Sequence, residues 1–276
     1  MIEFEKTLFI SDLDGTLLDK EGFITDYTAD LLNRLIAGGM NFTIGTARSL
    51  VTAADIMNKV NLKIPAVLSN GIMLYDMQSQ QPLLVHYLPK EKTSQIFNLF
   101  EQYHLVPMAY LLEGNEITLR YKPNNTSEQN KFIADRRRKF KDIIEIEHQT
   151  EQDNMMLINI VDRYGPLKNI HEAIEDIEGI SSVFYRNSYN DDYFLEIFSH
   201  KAGKRNTSLY LKDLLGMERI VAFGDEDNDL ELLKDADLGV VVENGSAAAK
   251  KAADIIIGSN FENSVADYIN RVTLKL

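Results

Sequence analysis

The stretch Thr7-Leu8-Phe9-Ile10-Ser11-Asp12-Leu13-Asp14-Gly15-Thr16 sets the reading of the whole chain. Residues 7–10 form a short apolar run of strand length, and the Asp- and Gly-rich segment behind it reads as a sharp turn. Working outward, residues 27–37 have a helical pattern closed by Gly38-Gly39. Residues 41–44 read as a second strand, 50–60 as a helix and 66–68 as a third strand. The same rhythm returns after residue 200, with a helix at 205–215, a strand at 220–223, a helix at 230–233 and strands at 238–242 and 255–257. Strands alternating with helices predict an α/β fold, a doubly wound parallel-sheet (Rossmann-like) core with both faces covered.

Residues 82–198 follow another pattern. Runs at 106–112 and 117–122 flank Glu113-Gly114-Asn115-Glu116, a hairpin turn. Further strands are expected at 155–161, 180–186 and 193–198, separated by helices at 90–103, 127–140 and 167–177. Hairpins with segregated helices predict an inserted α+β cap domain, 82–198, within a core made of 1–81 and 199–276.

Composition narrows the possible functions. The 276 residues are 45% hydrophobic, enough for a real core. A formal net charge of −13 disfavours nucleic acid and anionic membranes as partners. It also repels an anionic substrate at long range, so phosphate chemistry here needs a metal ion or a few well-placed cations. No apolar run is long enough to span a bilayer, and residues 1–6 lack the pattern of a signal peptide, so the reading is a cytoplasmic protein with no membrane partner. With no cysteine, disulfides, thiolate nucleophiles and cysteine–zinc sites are excluded. Five histidines without an HExxH pair argue against a histidine-based zinc site. Oligomeric state is not encoded in any visible motif.

Ligands of open α/β sheets bind beyond the carboxyl ends of the strands, where Asp12 sits. Two carboxylates at i and i+2 can share a site across a turn that Gly15 permits. One can attack phosphorus as an anion, and the other can hold a proton for the leaving group. The competing explanation is an Asp-Gly turn that only ends a strand. Gly224-Asp225-Glu226-Asp227-Asn228-Asp229 follows a second strand and can converge on the same place. Magnesium takes oxygen ligands, and Asp12, Asp225 and the backbone carbonyl of Asp14 suit it, with Asp229 in or near the first shell. An acidic helix cap would explain part of this segment. An EF-hand fails because Leu230 replaces its Gly and Ala236 its closing Glu. Thr46, after the second strand, can hold a phosphate oxygen at a helix start, and Lys204 can neutralise a phosphoryl group. Each has a plain structural explanation too, as a threonine cap and a solvated lysine, and Lys201 rivals Lys204. A P-loop is excluded by Phe198 and Arg205 at its Gly and Ser/Thr positions.

DxDGT, a strand-end Thr, a helix-opening Lys and GDxxND stand here in the order of the haloacid dehalogenase-like superfamily. The chain resembles its Cof-type hydrolase branch, whose cap lies between the second and third motifs, here after Asn70-Gly71 and before Lys204. The resemblance implies that Asp12 is the nucleophile and Asp14 the general acid/base. It implies phosphoryl binding by Leu13, Thr46, Ala47, Lys204 and Asn228, and magnesium held by Asp12, Asp14, Asp225 and Asp229. Two positions depart from the family pattern: Ala47 replaces the Gly of a TGR sequence whose Arg48 is retained, and Arg205 follows the lysine where Gly is common. Asp14 favours hydrolysis or mutase chemistry over a transporting ATPase, which carries Thr there. The expected activity is a magnesium-dependent phosphatase for small phosphate monoesters, sugar phosphates first and cofactor phosphates next, acting through an aspartyl-phosphate. A phosphomutase and a non-catalytic phosphate-ester sensor are the alternatives. Arg48, Arg120 and Arg205 are the candidate substrate cations, whereas Arg136-Arg137-Arg138-Lys139 reads as a solvated helix face.

Overall fold

The structure, a computed structural model, describes residues 4–123, 126–139, 143–147, 152–186 and 191–273. They divide into two compact units, Met1–Leu84 with Ala202–Leu276, and Val85–Lys201.

The first unit is built on a parallel sheet with an antiparallel edge beside it, eight strands among the described residues. These are β1 (Thr7–Ser11), β2 (Asn41–Ile44), β3 (Ala66–Leu68), β4 (Met73–Asp76) and β5 (Gln81–Val85), then β12 (Arg219–Gly224), β13 (Leu238–Val242) and β14 (Ile255–Ile257) after the insertion. The five-stranded sheet runs β14-β13-β12-β1-β2, and each pairing in it is parallel. All five residues of β1 are buried, as a central strand covered on both faces requires. Full burial of Leu8, Phe9 and Ile10 contributes roughly 1.5–3 kcal/mol each over leaving them exposed. The sequence reading of a doubly wound core holds. It did not place the edge of the sheet: β3, bridged to β2 through Val67 and Gly45, turns back through β4 and β5 as an antiparallel hairpin. The turn after β4 is fixed by Asp76, whose carboxylate accepts from the Gln78 N–H and the Ser79 hydroxyl. That hairpin keeps the chain with the first unit as far as Leu84, whereas the sequence reading begins the cap at 82.

Helices α1 (Asp26–Ala37), α2 (Leu50–Met57), α6 (Lys204–Leu214), α7 (Leu230–Asp235), α8 (Ala247–Ala252) and α9 (Ser264–Thr273) belong to this unit. In α1 the Thr25 side chain caps the Thr28 N–H, and Ala29, Leu32 and Ile36 supply the buried stripe. The last two helices lie beyond what the sequence reading placed. Ser246 caps α8, and Val265, Ala266 and Ile269 form the buried stripe of α9.

Among the described residues, the second unit holds a six-stranded sheet in the order β10-β11-β9-β6-β7-β8. Its strands are β6 (Met108–Glu113), β7 (Glu116–Tyr121), β8 (Ile143–Glu145), β9 (Met155–Asp162), β10 (Ile180–Arg186) and β11 (Tyr193–Ser199). The pairings are antiparallel except β7 with β8. Side-chain alternation splits two cores across it. Ala109, Ile158 and Ile160 pack with Phe100 of α3 (Lys90–Gln102) and Ile170 of α5 (Tyr164–Glu175). Met108 and Val161 pack on the other face with Ile133 of α4 (Ser127–Lys139).

Candidate active site

The site grows from the pairing of β1 with β12. Their register sets Ser11 opposite Phe223, and the Asp12 N–H continues the ladder by donating to the Phe223 carbonyl at 2.9 Å. Asp12 and Asp225 therefore leave the sheet side by side. These strands flank the point where the sheet order reverses, the usual ligand position in such folds.

After Asp12 the chain coils tightly, with the Leu18 N–H returning to the Leu13 carbonyl at 2.9 Å. Gly15 has φ 78°, and a Cβ there would lie 2.1 Å from Asp225 Oδ2. Glycine is thus required twice, for its backbone angle and for its closeness to Asp225. Thr16 uses that closeness to donate its hydroxyl to Asp225 Oδ1 at 2.8 Å. From the far side, the Asn244 amide donates to the Gly15 carbonyl at 2.7 Å.

Lys204 at the start of α6 is the lysine that reaches the cluster, while Lys201 belongs to the other unit. Its ammonium donates to Asp12 Oδ1 at 2.7 Å and Asp229 Oδ1 at 2.8 Å, with the Lys204 side chain only 1% exposed. The other oxygen of Asp229 accepts from the backbone N–H groups of Asp225 and Glu226 at 3.0 and 3.3 Å. Asp229 therefore holds Lys204 and the turn after β12, and its carboxylate stands in the same acidic cluster as Asp12 and Asp225, where the sequence reading placed it in or near a metal's first shell.

Electrostatics show what the cluster lacks. Burial pushes Asp12 up to about 8; Lys204 pulls it down only in part, and Asp229 and Asp225 push it further. Burial likewise raises Asp225 to about 7, against the pull of the Thr16 hydroxyl. Burial alone would lower Lys204, but the carboxylates of Asp12 and Asp229 hold its ammonium above the usual range. Three buried carboxylates thus face one ammonium. Asp12, Asp225 and Asp229 each offer an oxygen within 4.8 Å of the others. Hard oxygen donors carrying excess negative charge fit a small divalent cation, with Asp12 and Asp225 the carboxylates best able to hold it.

Thr46 sits beyond β2, its N–H on the Val67 carbonyl at 3.0 Å. Its hydroxyl accepts the Arg48 N–H at 3.1 Å, and α2 begins only at Leu50, so Thr46 stands in a turn rather than at a helix start. Leu13 is buried and Ala47 exposed on the two turns that flank Asp12 and Thr46. Asn228 donates to Asn70 Oδ1 at 3.1 Å.

The three candidate substrate cations are all engaged with the chain's own acids. Arg48 forms a two-armed pair with Asp14, at 2.7 Å to Oδ2 and 2.6 Å to Oδ1. Arg205 pairs with Asp235 of α7, and Arg120 with Glu113 of its own hairpin at 2.6 Å. Sequence reasoning missed Thr16, Asn70 and Asn244. Thr16 was within reach, as the last residue of the quoted motif, whereas the asparagines carry no local signal.

A sequence profile of haloacid dehalogenase-like hydrolases matches residues 9–269. Pyridoxal phosphate phosphatase YbhA of Escherichia coli (strain K12) is 26% identical over 94% of this chain and 95% of its own length. The 5-amino-6-(5-phospho-D-ribitylamino)uracil phosphatase YitU of Bacillus subtilis (strain 168) is 27% identical over 97% and 98%. Among solved structures, a haloacid dehalogenase-like hydrolase from Bacteroides thetaiotaomicron has the same fold, with TM-score 0.78 at 23% identity, covering 96% of this chain and 99% of that one.

Proposed function

The chain belongs to the family of haloacid dehalogenase-like hydrolases, and from that premise we propose that it is a magnesium-dependent phosphatase of small phosphate monoesters, with Asp12 as its nucleophile. The observation that carries this reading is the buried ammonium of Lys204 set between Asp12 and Asp229, with Asp225 adjoining.

A carboxylate oxygen of Asp12 attacks phosphorus in line with the ester oxygen. The phosphorus–ester oxygen bond breaks, Asp14 gives its proton to the departing alcohol, and an aspartyl-phosphate remains on Asp12. Asp14 then takes a proton from water, the water oxygen attacks phosphorus, and the bond to Asp12 breaks. Inorganic phosphate leaves and Asp12 is restored. Lys204 keeps its charge beside the transferring group throughout, and Thr46, Asn228 and the amides of Leu13 and Ala47 orient its oxygens. Bound magnesium would be held by Asp12, Asp225 and the Asp14 carbonyl and would supply neutralising charge to the phosphoryl oxygens.

The names of the two relatives support including cofactor phosphates and ribityl phosphates beside sugar phosphates as candidate substrates. The test is phosphate release from p-nitrophenyl phosphate and such a panel, with magnesium and with EDTA. Release is expected with magnesium and lost in EDTA. Asp12→Asn should lower it on the order of a thousandfold or more with the fold intact. Turnover retained by Asp12→Asn would overturn the reading.

A further inference from the structure

We infer that Arg48 is a positioning residue, whose guanidinium sets the carboxylate plane of Asp14 for both proton transfers; the inference rests on the phosphatase reading above. Asp12 and Asp225 are fixed by burial and by inward hydrogen bonds. Asp14 is not: its side chain is 53% exposed, and the next residue is the turn glycine at φ 78°. Among the described residues, the hydrogen bonds on its carboxylate come from Arg48 Nε and Nη2, at 2.7 and 2.6 Å. A two-armed guanidinium fixes both the distance and the plane of a carboxylate, which one point charge cannot do.

Arg48 is itself anchored at both ends of its backbone. Its N–H donates to the Thr46 hydroxyl at 3.1 Å, and its carbonyl accepts the Ser69 N–H at 2.9 Å. One short turn after β2 therefore carries Thr46 at the phosphoryl end and the anchor of Asp14 two residues later. A carboxyl group has about four lone-pair sites, so the fork leaves one free to carry the proton that Asp14 donates to the leaving oxygen and later to accept from the attacking water. Positioning of this kind matters because a misplacement of about 1 Å can cost on the order of a hundredfold in rate.

The experiment compares two leaving groups in Arg48→Met and Arg48→Lys, using the full chain with magnesium. p-Nitrophenolate departs without help, so its burst reports phosphorylation of Asp12 free of Asp14. An alkyl phosphate drawn from the active members of the panel needs the proton. For Arg48→Met the burst rate should stay within about threefold, while kcat for the alkyl ester falls roughly 30- to 300-fold at nearly constant KM. Arg48→Lys should recover less than about a tenth of that loss, because lysine cannot form the fork. In an Asp14→Asn background, Arg48→Met should add nothing further. KM rising alike for both esters at unchanged kcat would instead place Arg48 on the substrate. An equal loss in burst and alkyl turnover, or additivity with Asp14→Asn, would also overturn the inference. A wild-type protein that is folded yet inactive on every ester would fail the phosphatase reading itself and take this inference with it.

Discussion

Two ion pairs stand beyond the carboxyl ends of the parallel strands, with nearly equal bond lengths and opposite surroundings. On the floor, Lys204 meets Asp12 and Asp229 with all three side chains 8% exposed or less. On the rim, Arg48 meets Asp14 with exposures of 27% and 53%. Two unit charges about 4 Å apart attract by about 4 kcal/mol near a protein surface and about 1 kcal/mol in bulk water. Distance alone therefore does not tell what each pair does. The floor holds its charges out of water, so its ammonium is needed by the fold, and by the chemistry too on the phosphatase reading proposed above. The rim pair is wetted, and what it contributes is the direction of a carboxylate.

The largest effect should follow from breaking the floor. Lys204→Met leaves Asp12 and Asp229 buried without their cation. Removing one partner of a buried pair typically costs about 3–5 kcal/mol. Urea unfolding in EDTA should show a loss of that size, and phosphate release should fall below detection in the same variant. A loss under about 1 kcal/mol would mean that the floor is solvated like the rim, and the contrast between them would collapse.

Next comes the turn that joins the two. Gly15 follows Asp14 and adjoins Asp225, so Gly15→Ala strains both regions. A non-glycine residue held at that backbone angle costs about 1–3 kcal/mol, and the new methyl group must also displace the Asp225 carboxylate. Thermal unfolding should report the first, and a drop in turnover on the order of a hundredfold the second. Stability lost with full turnover kept would show that Asp225 can shift without consequence, which would sharpen the comparison toward Lys204 alone.

How far these regions could be read from the residues follows the same division. The floor lies at the ends of apolar runs, and a buried parallel strand announces itself by unbroken hydrophobicity, so β1, β12 and the acids just beyond them were legible together. Asp229 was visible as an acid, but its commitment to Lys204 and to the N–H groups of Asp225 and Glu226 was not, since each bond depends on tertiary placement. Arg48 was visible as a cation and read toward the substrate; its partner lies 34 positions earlier in sequence, a separation that local pattern does not register. Asn70 and Asn244 were missed for the same reason, because each meets the site only through folding. The β4–β5 hairpin escaped because Pro82 and the polar turn at 76–80 look like a loop. In the inserted unit the hairpin at Glu113–Glu116 was plain from its glycine, whereas the three-residue β8 is too short to show a period.

The smallest effect should come from the rim. Exposed ion pairs measured by double-mutant cycles contribute about 0.2–1 kcal/mol, and a two-armed geometry belongs near the upper end. The cycle built from Asp14→Asn, Arg48→Met and their combination, followed by urea unfolding, should give a coupling within that range. The coupling should shrink as salt rises toward 1 M, where the screening length falls to about 3 Å. A coupling above about 3 kcal/mol that salt leaves unchanged would mean that the rim is as dry as the floor. The kinetic loss in Arg48→Met would then be inseparable from a loss of structure. A small, salt-sensitive coupling leaves orientation as the remaining explanation for any selective loss in alkyl-ester turnover, because a pair that hardly stabilises the fold can still decide where a carboxylate points.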